Sequence, residues 1–243
     1  MTTPPVFLIN LDRNPERLET ARAALAPVGI VPERVAAVDG RALPPGQLAQ
    51  IEAAAMAAIG RALSPGEVGC FLSHLEAARR IVAAGLPHAI VLEDDARPGP
   101  DLAADLAGLM AALPAAADLV NLGRAPSKFF RPERVLPSGR ALGRAYYFPV
   151  TTSALLWSRA GAERFLAEHR LEAPVDVFLQ RWLSGSGRGW ACAPALFGLS
   201  GAASEIGSGA GRKGTRAAGY TALRLRRQGG NLLKAALGRL RGA

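Results

Sequence analysis

Apolar and polar positions along the first 120 residues follow two different periods. Short aliphatic runs, VFLIN (Val6–Asn10), RVAAVDG (Arg34–Gly40), HAIVLE (His88–Glu93) and DLVNL (Asp118–Leu122), predict strands, the second closed by an Asp-Gly turn. Between them the spacing turns helical. NPERLETARAALAPVG predicts a helix with Asn14 as N-cap and Pro15 at its first position, and residues 44–60 and 101–113 predict two more. The clearest helix is SPGEVGCFLSHLEAARRIVAAG. Ser64 caps it, Glu67 completes an S-x-x-E capping box, and Val68, Phe71, Leu72, Leu75, Ala78 and Val82 form one apolar stripe. Further on, TTSALLW (Thr151–Trp157) predicts a strand, SRAGAERFLAEH a helix capped by Ser158, and VDVFLQRWL a helix after Pro174, whereas residues 124–150 show no clear period.

Strands alternating with helices predict an α/β fold, a mostly parallel Rossmann-like sheet flanked by helices. Such sheets present ligand-facing residues at the carboxyl ends of their strands. Asn10, Asp12, Asp39, Glu93, Asp94 and Asp95 all follow predicted strand ends, so the topology is expected to bring them together.

The length suits one domain plus an extension, and 49% hydrophobic with 20% charged residues excludes wholesale disorder. The charge divides the chain further. Of 29 Lys and Arg, nine lie after Glu205, where no acid follows, so the other 20 balance the 20 acids of a neutral domain. We therefore expect a domain over residues 1–206 and a Gly-rich linker with a basic amphipathic tail over 207–243. In that tail Asn231 is the expected cap of a short helix with Leu232, Leu233, Ala236, Leu237 and Leu240 on one arc, a pattern suited to an anionic membrane surface, with a solvated tail as the other reading. Nucleic acid is not expected as a partner, because no recognition motif or aromatic interleaving accompanies the charge. The start shows neither a basic-then-apolar signal segment nor a run long enough to span a bilayer, and Cys70 and Cys192 give no metal or disulfide spacing. A cytoplasmic, reduced setting is the simplest expectation.

The acidic run Glu93-Asp94-Asp95 carries the candidate chemistry. It lies too far upstream of the next helix to cap it, and a strand of a covered sheet delivers it into a crevice where unpaired carboxylates are costly. A solvated acidic turn is one reading; a hard divalent cation, Mg²⁺ or Mn²⁺, held by Glu93, Asp94 and Asp95 is the other. A phosphate-accepting receiver domain would place its acids after the first strand, and an aspartyl phosphatase needs D-x-D where this chain has Asn10-Leu11-Asp12.

INLDRNPERL, AVDG, LSPGEVGCFLSHLEAAR and IVLEDDA, in that order, resemble glycosyltransferase family 25, which includes bacterial lipooligosaccharide galactosyltransferases and animal collagen galactosyltransferases. PVTTSALLWSRAGAERFL, APVD and SEIG resemble its looser later segments, and residues 124–150 match poorly. The resemblance implies a GT-A-like fold and inverting transfer of a sugar, usually galactose, from a UDP-sugar. It implies donor contacts from Asn10, Leu11, Asp12, Arg13 and Arg17, from Asp39 and Gly40, and from Gly69, Ser73, His74 and Asp94, with Asp95 as the metal-holding catalytic acid. Gly69 suits a close backbone approach. An inverting transfer also needs a general base: Asp176 is the choice and Glu205 the rival. The expected acceptor is a lipopolysaccharide-type glycan, lipid-linked, met by a peripheral protein at the inner face of the cytoplasmic membrane. A metal-dependent sugar nucleotidyltransferase and a non-catalytic nucleotide-sugar-binding protein are the alternatives.

Overall fold

A computed structural model describes residues 3–201 and 216–242. The chain opens with β1 (Val6–Asn10), α1 (Pro15–Leu25), β2 (Glu33–Ala36), α2 (Pro45–Ile59), α3 (Pro65–Ala83) and β3 (His88–Glu93). It continues through β4 (Ala96–Pro98), α4 (Leu102–Ala112), β5 (Leu119–Asn121), β6 (Phe130–Val135), β7 (Ala141–Ala145) and β8 (Ala154–Ser158). The last elements are α5 (Arg159–Glu168), α6 (Val175–Leu183), β9 (Gly189–Ala193), β10 (Phe197–Leu199) and α7 (Tyr220–Arg241).

Eight strands form one sheet in the order β2-β1-β3-β8-β5-β9-β7-β6. β1 pairs in parallel with β2 and β3, and β5 with β9; β8 and β7 run against their neighbours, so six of the eight strands point the same way. The sheet is therefore mixed and mostly parallel. The strand predicted at 151–157 forms as β8, but it enters the sheet reversed, between β3 and β5. The stretch without a clear period holds the β6–β7 hairpin, and β4 with β10 makes a separate two-stranded ribbon.

The period of two divides the core. Leu8, Ile90, Leu92 and Leu156 face α1 and α4 through Leu18, Leu25, Leu102 and Leu106. Phe7, Ile9, Val91, Leu155 and Trp157 face α3, α5 and α6 through Phe71, Phe165 and Phe178. Ridges of large side chains on both sides leave the strand ends at one rim of the sheet as the place where a ligand can enter.

α3 begins as its sequence dictates: the Glu67 amide donates to Ser64 Oγ and the Ser64 amide to Glu67 Oε2, at 3.2 and 2.9 Å. Arg61 closes on the same carboxylate at 2.6 and 2.8 Å. Pro15 starts α1, yet the Asn14 side chain forms no capping bond. Ser158 caps α5 through the Gly161 amide, as expected.

The tail helix corrects its prediction. α7 runs 22 residues with Gly219 at its N-cap, and Asn231 lies buried in its middle, reaching Gln180 Oε1 of α6 at 3.4 Å. Asn231 is thus a docking residue: a neighbouring side chain satisfies its amide where a cap would have used backbone. The start of the expected extension, residues 207–215, and the boundary at 206/207 lie outside the described residues, as does Glu205.

Candidate functional site

A cavity of about 310 Å³ opens at the carboxyl ends of β1, β2 and β3, against the first turns of α3. Its lining includes Asn10, Leu11, Arg13 and Arg17, then Val38, Asp39, Gly40 and Arg41. Ser64 to Gly66, Cys70, Ser73 and His74 contribute from α3 and its entry, and Glu93, Asp94 and Asp95 from β3. Nine of the predicted donor-site residues therefore share one cavity: Asn10, Leu11, Arg13, Arg17, Asp39, Gly40, Ser73, His74 and Asp94.

Asp12 turns away to solvent and pairs with Arg34. Gly69 does not line the cavity but shapes it. A Cβ on Gly69 would stand 2.3 Å from the Val38 carbonyl oxygen, and one on Gly40 would stand 1.9 Å from that of Pro65. Two glycines thus let the turn after β2 lie backbone to backbone on α3. Ser73 locks the same contact, accepting from the Val38 amide at 2.9 Å while donating to Gly69 O at 2.7 Å.

The three consecutive acids separate, for a reason built into the strand. Ala89, Val91 and Glu93 face α3; the next residue emerges on the α1 side. Glu93 Oε1 meets His74 Nε2 at 3.2 Å, Thr152 Oγ1 at 2.6 Å and Cys70 Sγ at 3.9 Å. Asp94 Oδ1 takes Arg17 Nε at 2.9 Å and a second contact from the same guanidinium, and Oδ2 takes Asn10 Nδ2 at 2.8 Å. Asp95 is left over: its Oδ1 is buried with no partner among the described residues.

Charge states follow from these contacts. Burial pulls Glu93 upward, but the hydrogen bonds and charge of its neighbours, His74 first, outweigh it and hold the carboxyl below its ordinary value. Asp95 is pushed up, by burial and then by the nearby Glu93 charge, with Arg17 opposing. Asp39 is held down chiefly by hydrogen bonding to Arg41. Burial drives the Cys70 thiol well up, and the charges of Glu93 and Asp176 add to it.

Two places invite a cation. Cys70, His74 and Glu93 offer ligand atoms within 4.8 Å of one another, in part because Cys70 and His74 stand one turn apart on α3. The set does not fit a metal. A metal on His74 Nε2 would force the proton onto Nδ1, which is buried without a partner. Cys70 is held as a thiol, and Thr152 already occupies Glu93. With a Nε2–H tautomer three donors instead meet on one carboxylate, and Nδ1 is left a bare acceptor rather than a bare donor. Asp95 does fit: an orphaned, buried carboxylate oxygen in a cavity where three arginines face four acids is what a hard divalent cation with water and phosphate ligands would complete. The acids thus form no ready cage of three; Asp95 is the one with an open position.

Asp176 sits in the first turn of α6, its Oδ1 accepting from the Val177 amide at 2.7 Å, outside the cavity lining but close enough to Cys70 for its charge to act there. Sequence reasoning missed Cys70, Arg41 and Thr152. Cys70 was legible, four residues before His74 on one helix face; Thr152 was not, because its place depends on the reversed entry of β8.

The family model of glycosyltransferase family 25 (LPS biosynthesis protein) matches residues 3–136. This chain belongs to glycosyltransferase family 25. The family 25 match carries β1 through β6 and includes every strand end that lines the cavity. The procollagen galactosyltransferase 1 of Danio rerio is 34% identical over 187 residues, 72% of this chain and 30% of its own length. The human inactive glycosyltransferase 25 family member 3 is 35% identical over 189 residues, 72% of this chain and 31% of its own. The chain thus spans about a third of the length of these curated relatives. Among solved structures, the mannose-1-phosphate geranyltransferase of Thermus thermophilus aligns over 70% of this chain and 66% of its own at 17% identity, with a TM-score of 0.33, too loose to carry an argument.

Proposed function

We propose that this family 25 chain transfers a sugar, galactose first, from a UDP-sugar to a glycan acceptor with inversion and with help from a divalent cation. The observation that carries this is the meeting, in one cavity at three strand ends, of Arg13, Arg17 and Arg41 with Asp95, whose buried oxygen has no partner among the described residues. Basic side chains with a hard-cation ligand suit a diphosphate leaving group. Asn10 and Leu11, with the Asp39-Gly40 turn, form the walls against which the nucleoside would rest. The glycine contact between that turn and α3 makes those walls rigid before a donor arrives.

Asp95 would hold Mn²⁺ or Mg²⁺, which supplies charge neutralisation on the departing diphosphate. Asp94 orients Arg17 toward the same cavity, and the hub around Glu93 fixes the end of β3 on which both acids hang. We assign proton removal from the acceptor hydroxyl to Asp176. The acceptor on this reading is a lipopolysaccharide-type glycan on a lipid, and the protein works at the cytoplasmic membrane face with its basic C-terminal region against anionic lipid. No described helix is long and apolar enough to cross a membrane.

The names of the relatives support a second reading: a galactosyltransferase and an inactive member match this chain at nearly equal identity. A non-catalytic chain would bind UDP-sugar and leave it intact.

Calorimetric titration of UDP with and without Mn²⁺ tests the site. Wild type should bind at least about tenfold more tightly with the ion, and Asp95→Ala should lose that gain. Metal-independent binding that survives the substitution would remove Asp95 from its role. Turnover of UDP-galactose with an acceptor panel separates transfer from binding alone, and a nucleoside triphosphate with a sugar 1-phosphate separates both from nucleotidyl transfer.

A further inference from the structure

Away from the cavity, α7 is seated the opposite way round from an ordinary covering helix. Asn231, Ala235 and Gly238 are its buried positions, and they form a narrow face of small and polar residues. The contact is close. A Cβ on Gly238 would stand 2.5 Å from Gly185 O, and one on Gly185 2.3 Å from Lys234 O. Asn231 adds its bond to Gln180, and the Ala217 amide donates to Gly60 O at 2.8 Å just before the helix begins.

Four of the six leucines of α7 face outward, while Leu232 is half-buried and Leu223 lies against Gly60. Leu225, Leu233, Leu237 and Leu240 are 62, 62, 41 and 82% exposed. At helical spacing the last three fall within an arc of about 60°. Arg239 flanks that arc on one side, Lys234 and Arg241 on the other, and Arg226 lies along it; α7 carries no Asp or Glu. A helix whose task was only to cover the domain would turn its leucines inward, where each contributes apolar burial. Here glycine, alanine and asparagine hold that place.

We propose that α7 is a membrane-docking element already folded onto the domain, whose outward Leu233–Leu237–Leu240 stripe lies in the interface of an anionic bilayer while the flanking cations meet lipid phosphates. Charge decides the occupant. Two copies joined through this stripe would bring two basic rims together with no acid between them, whereas an anionic surface complements both the apolar arc and its borders. Docking through Gly185 and Gly238 fixes how the domain stands on that surface. The inference rests on the membrane reading of the C-terminal region but not on the donor chemistry, and lipid binding is read without turnover, so either can fail alone.

Co-sedimentation of the full chain with phosphatidylcholine vesicles, with and without phosphatidylglycerol, is the test. Binding is expected only where phosphatidylglycerol is present, and it should fall as salt rises. The Leu233→Ser/Leu240→Ser double variant should partition at least about tenfold more weakly. Because both leucines are exposed, its circular dichroism and Tm should match wild type. Val31→Ser/Val135→Ser, which removes two exposed apolar residues elsewhere (92 and 77% exposed), should bind as wild type. Equal binding by the leucine variant and wild type would overturn the proposal, as would equal binding to neutral vesicles or none to the anionic ones. A wild-type dimer that ignores vesicles and that the leucine variant dissociates would assign the stripe to a second copy instead.

Discussion

At the scale of residues, two acids of this chain behave in opposite ways, and both can be measured. Burial pulls Glu67 upward, but Arg61 and the Ser64 amide overcome it and hold the carboxyl below its ordinary 4.5. A depressed folded value means that its stabilisation is complete above 4.5 and is lost as pH falls through the folded value. Glu67→Gln leaves the half-buried Arg61 guanidinium without its counter-charge, so it should cost about 2 kcal/mol in urea melts at neutral pH. That deficit should shrink progressively below pH 4.5, as wild type loses the same charge. Asp95 has the reverse sign. Its folded value is raised, so stability falls as pH rises through it, and Asp95→Asn should raise the Tm of metal-free protein at neutral pH while abolishing Mn²⁺-dependent UDP binding. A residue that costs stability and serves binding is recognisable by that split. The sequence identified Asp95, Asp94 and Glu93 as a group but not their division of labour. Three adjacent letters look like one ligand set, and only the alternation of a strand end, with α3 on one side and α1 on the other, tells Glu93 from Asp94.

At the scale of elements, the site depends on how closely two backbones approach. The turn after β2 presents Asp39 and Arg41 to the cavity only because Gly40 and Gly69 carry no Cβ. Gly40→Ala should cost about 2 kcal/mol, since a methyl group 1.9 Å from a carbonyl oxygen cannot be accommodated without moving the turn. UDP affinity should fall with it, in contrast to Gly46→Ala, whose new methyl meets nothing within 4 Å. Elements with strong local signals were legible beforehand. The capping box of α3, the proline starts and the apolar stripe depend on neighbours a few residues apart. β4, β9 and β10 were not legible, nor was the β6–β7 hairpin, because their pairing is long-range and their local patterns weak. The length of α7 was underestimated for a similar reason: Gly229 and Gly230 interrupt its helical propensity, and the docked side of the helix sustains it.

At the scale of the molecule, the sheet was legible in class and not in order. Alternating strands and helices gave the α/β architecture, but no local signal announces that β8 runs against β3 and β5 at the centre. That reversal has a consequence for synthesis. As the chain leaves the ribosome, β1, β2 and β3 can assemble early, and β3 then waits with one edge bare until β8 has emerged. Leu92 pairs with Ala154, and Glu93 accepts from Thr152, across that interval. The stretch that bears the family signature, residues 3–136, therefore stops short of the strand that closes its own sheet. Expressed alone, it should be insoluble or partly folded, with the amides of β3 that face β8 exchanging freely, whereas the full chain should protect them. The signature and the folding unit are different lengths of the same chain: the residues that line the cavity all lie in the shorter one, while Thr152, which holds the end of β3, lies only in the longer.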